Sequence, residues 1–352
     1  MTEQSGAETS STVGRASGSS LVRRYYIRQG HRLDDPTDPI QKPTVDLFSI
    51  LEMCGYRSLN QGIGPGRLGK ISDVFWRLVR IMWCARGGDV VVFNIPANYA
   101  VMRTICAIRR LKGFRLVVHC YDIESLRYTS PMRLSDQERN ILNGSDVILT
   151  PSTNTENVLR SFGVTSKCVP IEVWDYLYAD DVSVPVGNGR VIFAGNPRKA
   201  NFLSELGELS TLFTLWTDGY QSNHPNVESM GVGATPNRLR EVAEGGWGLV
   251  WDGESIDGDS SGPFLNYTKV MTTHKGGLYL AAGLPLIVWS RGGMAPFVLK
   301  YELGICVESL RQLDDLLPAL PVSQYEEYRR NACQISHKIR TGYFLRHALN
   351  QV

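Results

Sequence analysis

The sequence predicts an α/β protein of two Rossmann-like domains facing each other across a cleft. Three observations carry that expectation. From Leu21 onward, short apolar runs alternate with longer segments of helical period, as in parallel sheets with crossover helices. The chain has 352 residues, enough for two domains of about 150 to 180 residues each. Around Tyr176 to Gly189 the pattern lapses into Asp, Val, Pro and Gly without a clear period, as at a domain boundary.

The expected organisation is a tail over 1–20, a first domain over 21–180, a second over 185–324 and a helical segment over 325–352. The tail is Ser-, Thr- and Gly-rich with almost no large apolar residue, so it reads as disordered. Strands are expected at Val22 to Arg28, Asp89 to Asn94, Phe114 to Cys120, Asp146 to Thr150 and Lys167 to Ile171. Val74, Arg77, Leu78 and Ile81 share one face of a helix from Lys70 to Ala85, and a second helix spans Ala97 to Lys112. Ser135 with Glu138 forms a capping box, and Ser152 caps the next helix. The second series has strands at Arg190 to Ala194, Leu212 to Trp216, Trp247 to Trp251, Leu286 to Trp289 and Gly304 to Val307. Thr235-Pro236 reads as an N-cap with an N1 proline; Ser309 with Gln312 and Ser323 with Glu326 are further capping boxes. In the last segment Tyr328, Ala332, Ile335 and Ile339 share one side of a helix long enough to cross back to the first domain.

Composition excludes several classes. Apolar residues make up 43% and charged residues 20%, which suits packed cores. Lys and Arg total 37 against 35 for Asp and Glu, so the formal charge of +2 gives no general pull toward nucleic acid or an anionic membrane, and leaves room only for a local basic patch. Seven scattered cysteines without a C-x-x-C pair read as reduced thiols, and six histidines form no zinc pattern. No apolar run reaches the roughly 18 residues of a membrane span, and the start lacks a basic patch followed by an apolar run. A cytoplasmic protein with at most peripheral membrane contact is expected.

Two motifs lack the context their chemistry needs. Gly64-Pro-Gly-Arg-Leu-Gly69-Lys70 matches both G-x-G-x-x-G and G-x-x-x-x-G-K, but no apolar strand precedes it and Ile71 replaces the magnesium-binding hydroxyl. It reads as a glycine connection before a helix. Asp257-Gly-Asp259 is a literal D-x-D in a polar glycine loop, where solvated carboxylates are the commoner case. A metal-dependent sugar transferase using Asp257 and Asp259 is therefore the rival reading. The cluster of Arg23, Arg24, Arg28, His31 and Arg32 suits an anionic acceptor or a solvated strand end.

The informative stretch runs from Gly246 to Leu317. Gly246-Trp-Gly-Leu-Val-Trp-Asp-Gly253 leads through a polar loop to Thr272-Thr-His-Lys-Gly-Gly-Leu-Tyr-Leu-Ala-Ala-Gly-Leu-Pro285, then the strand at Leu286 and the loop Ser290-Arg-Gly-Gly293. Helix starts led by His274-Lys275 and by Gly292-Gly293 are thereby expected side by side at one sheet edge. Unpaired amides and a lysine ammonium there suit a diphosphate. A cation at a helix start lies at the unfavourable end of the dipole, a conflict that an anionic ligand resolves.

This segment resembles the donor domain of GT-B glycosyltransferases. With Phe193-Ala-Gly-Asn-Pro-Arg-Lys-Ala-Asn-Phe-Leu203, Tyr121-Asp-Ile-Glu-Ser-Leu-Arg127 and Trp174-Asp-Tyr176, the chain resembles a bacterial family. That family includes the second-step glucosyltransferases of serine-rich-repeat adhesins and the β-1,6-galactofuranosyltransferases. The resemblance implies an acceptor-binding first half, a UDP-sugar-binding second half and inversion at the anomeric carbon, with no cofactor required. It implies a glycan, glycoprotein or lipid-linked oligosaccharide acceptor and admits a homo-oligomer. In the family's pattern Arg198 and Lys275 hold the diphosphate and the Asn196 loop lies near the nucleotide; Thr273, His274, Gly276, Gly292 and Gly293 complete the donor set. Met271-Thr272-Thr273 stands where relatives usually carry Asn-Asn-Pro. An inverting transfer needs a base, and Asp122 is the first candidate, with Glu124 and His31 as alternatives. Tyr279, Leu280, Trp251 and Trp289 are expected in the core rather than on the sugar. A two-domain protein that binds a sugar nucleotide without chemistry is the remaining alternative.

Overall fold

In a computed structural model of the chain, the described residues are 22–28, 41–59, 66–129, 131–180, 189–243, 246–258 and 262–352. For 66–73 and 263 only the backbone is considered. The tail over 1–20, His31, Arg32, Gly64 and Asp259 lie outside the described residues.

The first sheet comprises β1 (Arg24–Ile27), β2 (Arg57–Ser58), β3 (Val90–Ile95), β4 (Arg115–Cys120), β5 (Val147–Thr150) and β6 (Lys167–Pro170). Their order is β2-β1-β3-β4-β5-β6, with every pair parallel. Around it run α1 (Gln41–Met53), α2 (Gly66–Cys84), α3 (Tyr99–Lys112), α4 (Glu124–Tyr128), α5 (Asp136–Asn143) and α6 (Thr153–Ser161). The second sheet comprises β7 (Val191–Ala194), β8 (Phe213–Trp216), β9 (Val227–Ser229), β10 (Trp247–Val250), β11 (Leu286–Trp289) and β12 (Gly304–Val307). It is again all parallel, in the order β12-β11-β10-β7-β8-β9. Its helices are α7 (Pro236–Ala243), α8 (Pro263–Thr268), α9 (His274–Ala281), α10 (Ala295–Lys300), α11 (Leu313–Ala319), α12 (Val322–Arg340) and α13 (Tyr343–Leu349). Central strands β3, β5, β7, β8, β10 and β11 are buried throughout, because helices cover both faces of a parallel sheet.

Periodicity found every strand except β2 and β9. Both are sheet edges of two and three residues, too short to display a period. The caps divide. Ser152 Oγ accepts the Thr155 N–H at 3.2 Å, and Thr235 Oγ1 accepts the Arg238 N–H at 3.3 Å, both as expected. Ser135 Oγ accepts the Glu138 N–H, but the Glu138 carboxylate turns to Ser125 and the Ser135 hydroxyl instead of the cap backbone. Ser309 with Gln312 is a full capping box. Ser323 is not a cap: α12 starts at Val322 behind Pro321, whose fixed φ already suits a helix start.

The end of the chain ties the lobes together. Helix α12 packs on α9, the chain turns at Gly342, and α13 lies against α1. One core cluster accordingly contains Leu47 and Phe48 of α1, Leu280 of α9, Ile339 of α12 and Phe344 and Leu345 of α13. The Asp175 carboxylate accepts the N–H groups of Phe344 at 3.2 Å and Leu345 at 2.8 Å, anchoring α13 at its start. Gly342 has φ of +73°, and an added Cβ would lie 2.7 Å from Ile50 Cγ1. Gly342→Ala therefore combines left-handed strain with overpacking, and we expect a loss of about 2–4 kcal/mol in urea unfolding. An unchanged midpoint would mean that α13 is not held at this turn.

Candidate active site

The segments after β4, β7 and β10 supply the charged side chains, and the loop after β11 supplies glycines. After β10 the chain continues Trp251-Asp252. Lys275, in the first turn of α9, donates from Nζ to the Trp251 carbonyl at 3.0 Å and pairs with Asp252. Its side chain is 13% exposed, and its ammonium lies 4.7 Å from the centre of the Phe193 ring. Lys275 thus reaches the end of β7 as well, beside Gly195, where a Cβ would come within 3.4 Å of its stem.

Lys199 joins this group from the turn after β7. Burial, then repulsion from Arg127 and Lys275, pulls its pKa below the usual lysine range, against the attraction of Asp252 and Asp122. Its neighbour Arg198 is exposed on the same 3-10 turn, and Asn196 caps that turn by accepting the Arg198 N–H at 2.9 Å. The half-buried cation at this turn is therefore the lysine, which sequence reasoning passed over. The run Arg198-Lys199 held the signal, but only the helical twist of the turn decides which member points inward.

Asp122 follows β4. One carboxylate oxygen accepts the Ile123 N–H at 3.0 Å and the Tyr267 hydroxyl, and the other pairs with Arg127. Tyr267 belongs to α8 in the second lobe, so this carboxylate spans the junction. Arg127 also lies over the Tyr267 ring, 5.1 Å from its centre. Glu124 leads α4 and is exposed.

A cleft at the ends of β10 and β11 is lined by Trp251, Asp252, Thr273, Trp289, Gly292 and Gly293. Thr273 precedes α9 without capping it, and its hydroxyl oxygen is buried with no partner among the described residues. The second helix start differs from expectation. Helix α10 begins only at Ala295, and the amides of Gly292 and Gly293 already donate to Trp289 O at 2.9 Å and Thr268 O at 2.7 Å. These glycines offer close approach, not free N–H groups: a Cβ on Gly293 would lie 2.9 Å from Met271 O. Gly276 is filled against Met294, which also lines the cleft. Trp251 and Trp289 are buried and pack edge to face, while Tyr279 is core, its hydroxyl accepting the Ala194 N–H at 2.7 Å.

His274 faces elsewhere. Its ring stacks on Trp174 at 4.8 Å and lines a second cavity with His119, Asp46 and Asp175. Burial pushes both His274 and His119 down to about 3. Unfolding exposes them to water, where they bind protons below about 6.5, so their stabilising effect is lost as pH falls below that value. Asp175 opposes them. Burial, against two backbone donors, raises its carboxyl to about 7; its contribution is complete below about 4 and lost as pH rises through 7. Two histidines outweigh one carboxyl. The urea midpoint is expected to drop between pH 7 and pH 5, and His274→Phe should flatten that slope; an unaltered slope would contradict the neutral burial of this ring.

Asp257 is engaged by the Ser309 hydroxyl and, at 3.2 Å, by Arg311, which hold its pKa below the usual carboxylate range. Among the described residues no group of three or more His, Cys, Asp or Glu side chains is placed to hold a metal ion. Among them, too, no helix is long and apolar enough to cross a membrane.

Comparison with known proteins agrees with this architecture. Residues 24–173 match the glucosyltransferase 3-like N-terminal domain and residues 191–352 the glucosyltransferase 3-like C-terminal domain. The chain is 30% identical over 271 residues to a β-1,6-galactofuranosyltransferase of Escherichia coli, covering 75% of this chain and 79% of the relative. It is 27% identical over 307 residues to glucosyltransferase 3 of Streptococcus gordonii, covering 86% and 91% respectively. In fold it is similar to Anabaena HepE, solved in complex with UDP and glucose, with a TM-score of 0.56 at 13% identity over 94% of this chain and all (100%) of that one. Sucrose-phosphate synthase of Thermosynechococcus elongatus gives a TM-score of 0.53 at 11% identity, covering 94% and 98%. Two parallel sheets whose carboxyl edges carry the charged cluster, two matching domain models and a relative at 30% identity lead to one assignment: this chain has the GT-B fold and belongs to the glucosyltransferase 3-like family of glycosyltransferases.

Proposed function

We propose that the protein transfers a hexosyl group from a UDP-sugar to a hydroxyl of a glycan acceptor, with inversion and without a metal ion. The observation that carries this reading is the cluster at the lobe junction. Among the described residues, Lys275, Lys199 and Arg127 meet two carboxylates there, Asp252 and Asp122. Partly desolvated cations in excess favour a polyanion, and a departing diphosphate is where inverting transfer develops negative charge. Lys275 and Lys199 would neutralise it, with Arg198 reaching from the rim, while Thr273, Gly292 and Gly293 line the donor cleft. A base on the acceptor side would take the hydroxyl proton as that oxygen attacks the anomeric carbon. Asp122 is the first candidate for this, ahead of Glu124 and His31. The acceptor would be a free glycan, a glycoprotein or a lipid-linked oligosaccharide, in glycoprotein or polysaccharide synthesis.

Thermal denaturation with UDP, GDP and a panel of UDP-sugars tests the nucleotide before an acceptor is known. UDP and one UDP-sugar should raise the midpoint by mass action, and GDP should do so less. No shift with any uridine nucleotide would remove the proposal. UDP release that requires acceptor separates transfer from simple binding, and turnover in the presence of a chelator separates this route from one through Asp257 and Asp259.

A further inference from the structure

Helix α2 is apolar on two sides. Arg77 and Ile81 are buried toward the core, while Phe75 and Trp76 are 60% and 57% exposed and Met82 and Trp83 are 38% and 83% exposed. At about 100° per residue, these four and the half-buried Val79 fall within one arc of roughly 120°, directed away from the sheet. A helix that is apolar all round is normally buried, and among the described residues nothing covers this arc. Helix α3 packs beside α2 and runs the same way, since both cross between parallel strands. It adds Leu111, 74% exposed, at the same end as Trp83.

The surrounding charge is of one sign. Residues 66–115 contain ten Lys and Arg against two Asp, a surplus of eight in a chain whose total surplus is two. One of those two, Asp89, is buried against Arg23. Arg80, Arg86, Arg103 and Arg110 are exposed around the apolar arc.

We propose that this face of α2 and α3 docks on the surface of a bilayer containing anionic phospholipids. Tryptophan and phenylalanine at the interface, flanked by exposed arginines in a stretch with few acidic residues, is the chemistry of a peripheral amphipathic helix. Anionic headgroups complement the charge surplus. A second copy of the chain meets the opposite condition: a two-fold contact through this patch sets its arginines against their own symmetry mates. This inference does not depend on which sugar is transferred.

Co-sedimentation of the full chain with vesicles is the test. Binding is expected to vesicles of phosphatidylcholine with phosphatidylglycerol, much less to phosphatidylcholine alone, and to weaken with salt. The double variant Trp76→Ser, Trp83→Ser should lower partitioning at least about ten-fold. Arg80→Glu with Arg110→Glu should abolish the lipid-charge dependence. All four side chains are exposed and Arg80 gives up one 3.3 Å bond to the Leu59 carbonyl, so melting temperatures close to the parent's show that the variants are folded. A chain that stays in solution with both vesicle types, variants that bind as the parent does, or an apolar-patch-dependent dimer in ultracentrifugation without vesicle binding would each overturn the proposal.

Discussion

Lys275→Ala is expected to weaken UDP binding by about 1.5–3 kcal/mol, roughly 10- to 150-fold. The ammonium is mostly buried between Asp252, the Trp251 carbonyl and the Phe193 ring, so its contacts are little screened by water. Alanine removes the proposed diphosphate contact and leaves the Asp252 carboxylate facing the same space without its cation. Both changes act against an anion. A cycle with Asp252→Asn separates them: if Lys275 touches the phosphates, its removal still costs affinity in the Asp252→Asn background. Calorimetry showing the same UDP affinity in parent and Lys275→Ala would take this residue out of the site.

Asp122→Asn is expected to reduce transfer by about 10²- to 10⁴-fold while UDP affinity holds, the size of effect usual for a lost general base. Of about four acceptor positions on a carboxylate, three are used, by Tyr267, Ile123 and Arg127. One position remains for an acceptor hydroxyl. The alternative role is mechanical, because the Tyr267 contact joins the lobes. Tyr267→Phe distinguishes the two. A base retains most of its turnover when that hydroxyl is lost, whereas a tie between lobes loses turnover and thermal stability equally in both variants. Transfer undiminished in Asp122→Asn would exclude the base assignment.

Much of this was legible along the chain. Ten of the twelve strands among the described residues announce themselves as short apolar runs, because a strand covered on both faces needs no polar side. The compositional shift over Tyr176 to Gly189 and the Lys275 helix start are local features too, visible in composition and in the sequence of caps. The capping residues show the limit. Ser135 and Glu138 have the spacing of a box, yet Ser125, which is brought alongside by the fold, captures the carboxylate. Glycines before α10 read as free amides until the Thr268 carbonyl arrives from α8 to accept one of them.

What the sequence by itself determined is the order of strands and helices, the division into two lobes and the segment bearing Lys275, since these follow from short-range period and stereochemistry. Only the tertiary structure decided that Lys199 and not Arg198 is the half-buried cation beside Asp252, that Asp122 meets Tyr267 across the junction, and that among the described residues one apolar arc of α2 stays uncovered. Each of these depends on which segments the closed loops bring within a few ångströms, and a charge or an apolar side chain carries no mark in its own neighbourhood of the partner it will meet.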